Sequence, residues 1–180
     1  KKLNILDEKE KILRETAKEV IFPLTKEDKK LIQNSIDQLT YSQIEEYEKK
    51  YDLRPGMGLA FPQLGLSKRI IIIVHEYEDG KFDNYVVINP KIVSNSEEII
   101  ATEAGEGCLS VNRDVEGHVP RFARVTVEGY DENGNKIRIR AREELSIAFQ
   151  HEIDHLNGIL FFDRINKKKP FYSENEIRLI

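Results

Sequence analysis

Gln150-His151-Glu152-Ile153-Asp154-His155-Leu156-Asn157 is the stretch on which the reading of this chain turns. From about Glu143 to Asn157, Leu145, Ala148, Phe149 and Leu156 recur at helical spacing, and Gly158 is placed to end the helix. On that helix Ile147, His151 and His155 fall along one line, so both imidazoles can reach a single metal ion. Glu152 projects beside them, where a carboxylate can handle a proton on a water at the metal. Asp154 points to another face and is expected to make a structural hydrogen bond, because a buried Asp is costly without partners. Two histidines leave the site short of a third protein ligand.

A metzincin would place a further histidine six residues after His155, but that position is Phe161. A gluzincin would place a glutamate downstream; Glu174 and Glu176 exist, with little helix to hold them. The remaining candidate is the only cysteine, Cys108, in Glu106-Gly107-Cys108-Leu109-Ser110. A free cysteine is ordinarily a small buried hydrophobe, yet the glycine-flanked setting beside Glu106 favours a ligand. A thiolate there would select Zn²⁺ or Fe²⁺ over Mg²⁺ or Ca²⁺. A third element is Gly56-Met57-Gly58-Leu59-Ala60-Phe61-Pro62-Gln63. Its two glycines allow close backbone approach to a ligand, and Gln63 offers a neutral amide donor for an oxyanion. No Gly-Lys-Ser/Thr follows, so it is not a phosphate loop.

The rest of the chain sets the frame. Its 180 residues suit one domain with a real core. A net charge of −4 gives no field favouring nucleic acid, DNA included, no basic stripe interleaved with aromatic residues appears, and no apolar run is long enough to span a membrane. No export signal is read at the start, and a lone cysteine fits a reducing compartment, so the cytoplasm is expected. Thr25 is placed to cap a helix, with Asp28 three residues on in a capping-box position. Leu31, Ile32, Ile36 and Leu39 give that helix a core-facing stripe, and Tyr41 to Tyr51 extends or follows it. Strands are expected at Arg69–His75, Tyr85–Ile88, Ile92–Val93 and Ile99–Ile100. A hairpin is expected between Val125–Val127 and Ile137–Ile139 around Asp131-Glu132-Asn133-Gly134-Asn135. Strands without regular βαβ alternation argue α+β: short mixed or antiparallel sheets packed around a central metal-binding helix, with a further N-terminal helix. His75 and His118 have no partner at ligand spacing and are read as surface or loop positions. Lys167-Lys168-Lys169 reads as a solvated run.

Taken in order, Gly56-x-Gly58-Leu59-Ala60-x-Pro62-Gln63, Glu106-Gly107-Cys108-Leu109-Ser110 and Gln150-His151-Glu152-x-Asp154-His155-Leu156 resemble the three motifs of peptide deformylases. The resemblance runs from about Leu24 to Arg164 and is nearest the longer, Gram-positive-type subclass. Met57 and Phe61 depart from the usual residues at their positions, and both departures bear on pocket shape. The resemblance implies that Cys108, His151 and His155 hold a tetrahedral metal with water as fourth ligand, natively Fe²⁺ with Zn²⁺ able to substitute. It implies removal of the formyl group from the formyl-methionine of nascent polypeptides, releasing formate, in a bacterial or organellar translation system. Glu152 would be general base and then acid, and Gln63 with the Leu109 backbone N–H would hold the oxyanion. Met57, Gly58, Leu59, Gly107 and Ile153 are expected to contact substrate. The implied partners are the nascent peptide and the ribosome near its exit tunnel, with the enzyme itself a monomer. A small zinc peptidase, or a non-catalytic metal- or peptide-binding module, remains the alternative.

Overall fold

Ile70-Ile71-Ile72-Ile73-Val74 is buried on both sides of a sheet, and that double burial organises the molecule. The structure, a computed structural model, describes residues 2–180. Strand β2 (Ile70–Glu78) lies between β1 (Gly58–Ala60) and β3 (Lys81–Asn95). The sheet continues through β6 (Arg124–Tyr130) to β7 (Lys136–Arg142), with every pairing antiparallel. Because side chains alternate across a strand, Ile70, Ile72 and Val74 face one helix, α1 (Lys26–Ser42), in a cluster with Ile32, Leu39 and Leu59. Ile71 and Ile73 face the other, α3 (Glu143–Leu156), with Val87, Val127, Phe149 and Leu156. A strand covered on both faces has no polar side to alternate with, which is why β2 reads as an unbroken apolar run.

The strands expected at Tyr85–Ile88 and Ile92–Val93 are one strand, β3, continued through a register shift between Ile88 and Lys91. Asn89, with φ of 52°, takes up the irregularity. Its side chain accepts from Val20 N–H and donates to Val20 C=O, fastening the N-terminal segment to the sheet. The β6–β7 hairpin forms as read: Asp131 Oδ1 accepts from the N–H groups of Asn133 and Asn135, and Gly134 takes φ of 83°. A second, three-stranded sheet, β5 (Arg121–Phe122), β4 (Ile99–Ala101) and β8 (Arg178–Leu179), includes two elements that no periodicity announced. Arg178 ties β8 down through ion pairs to Glu98 (2.9 Å) and Glu143 (2.6 Å).

Thr25 caps α1 by accepting from Asp28 N–H at 3.0 Å. The Asp28 side chain, however, turns to the Lys68 ammonium at 2.7 Å, so the box is only half closed. α1 stops at Ser42, and the charged stretch beyond it contains a separate short helix, α2 (Glu45–Lys50). The architecture is α+β, in agreement with the sequence reading.

Candidate metal centre and active site

The inner line of α3 delivers what its spacing promised. Cys108 Sγ and one nitrogen each of His151 and His155 lie within 4.8 Å of one another, and all three residues are buried. Cys108 Sγ sits 3.3 Å from His155 Nε2. His151 Nδ1 donates to Glu106 Oε1 at 2.9 Å, which fixes its tautomer and leaves Nε2 as the free nitrogen. The donor set fits a transition metal well: one sulfur and two imidazoles suit Zn²⁺ or Fe²⁺ and not a hard cation. Two buried atoms without any hydrogen-bond partner, Glu152 Oε1 and His155 Nδ1, border this group. Among the described residues this is the one His/Cys/Asp/Glu group of that geometry, and neither Glu174 nor Glu176 belongs to it.

Behind the cluster runs a buried chain of charge. Glu106 accepts from Arg121 Nε (2.9 Å), Arg121 Nη1 donates to Asp154 (2.7 Å), and Asp154 also receives Arg164 (2.7 Å). Burial works against a charge on Glu106, but hydrogen bonds from His151 and Arg121 hold its pKa down at about 2. The carboxylate thus stays ionised and keeps its grip on the imidazole. Asp154 makes the structural bond expected of it, with two guanidiniums.

Burial pushes Glu152 the other way, to about 7. Its carboxylate lies against Gly58: a Cβ there would come within 2.6 Å of Oε2, so any larger residue would displace the Glu152 carboxylate. Gln63, almost wholly buried, is pinned at its oxygen by Ala60 N–H (2.9 Å). This turns its NH₂ toward Ser110 Oγ (3.0 Å) and Cys108 Sγ (3.6 Å). Leu109 occupies the tight turn closed by Val111 N–H to Cys108 C=O at 2.9 Å, and its side chain packs where a Cβ on Gly56 would clash. The two loops that carry Gln63 and Leu109 are stitched together by the N-terminal segment: Leu6 N–H donates to Gln63 C=O and Glu8 N–H to Ser110 C=O, both at 2.8 Å.

A cavity of about 360 Å³ opens onto this constellation. Met57, Gly58 and Gly107 line it, as read from the sequence. Leu59 and Ile153 do not. On β1, Gly58 and Ala60 pair with Ile73 and Ile71 on the α3 face, so alternation sends Leu59 into the cluster under α1. Ile153 packs into the sheet-side core instead. The apolar wall from the helix is Ile147 and Ala148, which share the face of His151, and Leu109 completes it from the loop. His75 lies 3.4 Å from Glu144 on the strand side. His118 is buried rather than exposed, bonded to Glu103 C=O and Tyr172 N–H, because the chain after α3 folds back over it. Arg54 and Arg121 were not foreseen. Arg54 donates to Cys108 C=O and Val111 C=O, and Arg121 is the centre of the buried chain. No sequence pattern marks either the exposed Arg54 or the buried Arg121.

Similarity to known proteins runs along most of the chain. The profile of the polypeptide deformylase family matches residues 2–171, beyond both limits of the motif resemblance. A peptide deformylase of Oceanobacillus iheyensis is 50% identical over 159 residues, covering 88% of this chain and 87% of that one. Peptide deformylase 2 of Bacillus anthracis is 45% identical over 168 residues, 93% of this chain and 91% of the relative. Among solved structures, the peptide deformylase of Thermus thermophilus superposes with a TM-score of 0.72 at 35% identity, covering 94% of this chain and 89% of its own. With the motif residues brought together in space and likeness running nearly end to end, the chain belongs to the polypeptide deformylase family.

Proposed function

We propose that residues 1–180 form a single catalytic domain that hydrolyses the N-formyl group of nascent polypeptides beginning with formyl-methionine, releasing formate. The observation that carries this reading is the convergence of Cys108, His151 and His155 beside a buried, unpartnered oxygen of Glu152. Those three side chains would hold a divalent transition ion, natively Fe²⁺ by family resemblance, with Zn²⁺ able to take its place. When bound, the ion supplies Lewis acidity, lowering the pKa of a coordinated water and polarising the formyl oxygen.

The protein's own groups do the rest. Glu152, buried beside the cluster with one oxygen unpartnered, takes a proton from the attacking water and passes it to the leaving amine. Gln63 Nε2, aimed by the Ala60 N–H, and the Leu109 backbone N–H donate to the oxyanion that develops on the formyl group. Met57, Leu109, Ile147 and Ala148 supply the apolar wall for a methionine side chain, and Gly58 and Gly107 leave room for the peptide backbone. The chain acts as a monomer in the cytoplasm, close to the ribosomal exit tunnel where its substrate appears. Among the described residues no helix is long and apolar enough to cross a membrane.

The test is formate release from formyl-Met-Ala-Ser by protein purified without oxygen and loaded with Fe²⁺. Rapid release is expected. A folded, metal-loaded protein that releases none would overturn the reading.

A further inference from the structure

Strand β7 reads Lys136-Ile137-Arg138-Ile139-Arg140-Ala141-Arg142, and its alternation is one of charge. Ile137, Ile139 and Ala141 pack toward α3, which leaves Lys136, Arg138, Arg140 and Arg142 exposed on the opposite face of a strand at the sheet's edge. Register brings Arg124 of β6 directly beside Arg142, so the row of cations is doubled at that end. Arg138 is answered by Glu128 at 3.2 Å and Arg124 by Glu98 at 3.3 Å. Among the described residues, no carboxylate lies within ion-pair distance of Arg140 or Arg142.

Charges on an edge strand discourage edge-to-edge association, and that accounts for one or two of them. It does not account for what surrounds them. Arg124, Arg140 and Arg142 line a groove of about 330 Å³ together with Ser94, Asn95, Ser96, Val125, Thr126 and Ala141. No acidic side chain lines it. On a chain of net charge −4, a groove whose charged groups are all guanidiniums is a local field of the opposite sign.

We propose that this groove and the β7 stripe form a docking surface for the sugar–phosphate backbone of RNA. Two features favour a strand of phosphates over a single anion. The cations recur at every second residue, about 6.6–6.8 Å apart along an extended strand, so the row reaches beyond the groove to Arg138 and Lys136. Arginine also matches phosphate oxygens bidentately, which an edge-protecting lysine row would not do. With no aromatic side chain in the groove to stack on a base, contact is to the backbone, independent of sequence and strongly salt-dependent. The choice of RNA rests on the proposed function, which puts the substrate at a ribonucleoprotein; the anion-binding groove does not. The surface has no part in the chemistry.

The experiment uses the full metal-loaded chain and a fluorescein-labelled 20-nucleotide single-stranded RNA of mixed sequence, titrated from low to physiological salt. Binding is expected with Kd of ~10⁻⁴–10⁻⁶ M and a log–log salt slope of about −2, the release of some three counterions. The triple variant Arg124→Gln, Arg140→Gln, Arg142→Gln is expected to lose most of that slope and at least about tenfold in affinity. Its turnover of free formyl-Met-Ala-Ser should be unchanged, which separates this surface from the reaction. No RNA binding at low salt would overturn the proposal. So would binding that survives in the triple variant but is lost when Lys167, Lys168 and Lys169 become Gln. Displacement of RNA by low-millimolar inorganic phosphate would reassign the groove to a single anion. Equal, arginine-dependent binding to vesicles containing phosphatidylglycerol would reassign it to anionic membranes.

Discussion

The two long helices cover opposite faces of the same sheet, yet they are built on different principles. α1 presents one stripe, Ile32 and Leu39 flanked by Asp28, Ser35 and Ser42, and leaves the rest to solvent. α3 is buried nearly all round, and among its buried residues are Ser146, Gln150, Glu152, Asp154 and His155. Ser35 and Ser42 satisfy themselves on nearby carbonyls of α1, whereas Gln150 reaches Phe122, Asp154 reaches Arg121, and His151 reaches Glu106. A helix that buries an apolar stripe needs only a surface to lie on. One that buries polar groups needs partners placed by distant parts of the chain, and that is where chemistry is found.

If this contrast holds, substitutions on α3 and its partners change turnover more than stability, and substitutions on α1 do the reverse. The largest effect is expected from Glu152→Ala, a loss of roughly 10²–10⁴ in kcat with metal content retained, measured by formate release alongside metal analysis. Because Glu152 is a buried acid with an unpartnered oxygen, Glu152→Gln should leave thermal stability equal or higher. A fall in Tm of several degrees would break the contrast at its strongest point. Gln63→Ala is expected to cost about 10²–10³ in kcat with little change in KM, as for the loss of one oxyanion donor. Glu106→Gln should weaken metal affinity by roughly 10–100-fold, read by chelator competition, since it loosens the His151 ring rather than removing a ligand. On the other face, Ile32→Ala should lower unfolding free energy by about 2–5 kcal/mol in urea titrations, with kcat per folded molecule unchanged. Thr25→Ala is the smallest, about 1 kcal/mol for a lost cap. If either α1 variant altered kcat, the two faces would be coupled and the division would fail.

The same contrast explains what the sequence disclosed. α1, α3, β2 and the β6–β7 hairpin rest on local rules of spacing, capping and turn chemistry, and all were legible. The pairing of His151 with His155 was legible too, because a four-residue step on a helix is itself geometry; Cys108 reaches them from a loop, which no local rule records. The pocket was read less well: Leu59 belongs to the far face of β1 by simple alternation, but a Gly-x-Gly segment gives no sign that it is a strand. Arg121 and Arg54 were invisible for a further reason. Their partners stand many residues away, brought close only by the sheets, and nothing local records such a meeting.

That α3 is the helix covering its face of the sheet has a consequence for how the protein is made. Ile71, Ile73, Val87, Val125 and Val127 are all synthesised before the helix that shields them, at roughly 5–20 residues per second. For a period on the order of seconds the growing chain displays a wide apolar surface, with two of the three residues of the Cys108, His151 and His155 cluster still to come. A protein of this family attends to newborn chains; during that interval it is one of them, exposed to aggregation and in need of whatever shelter the cell gives to others.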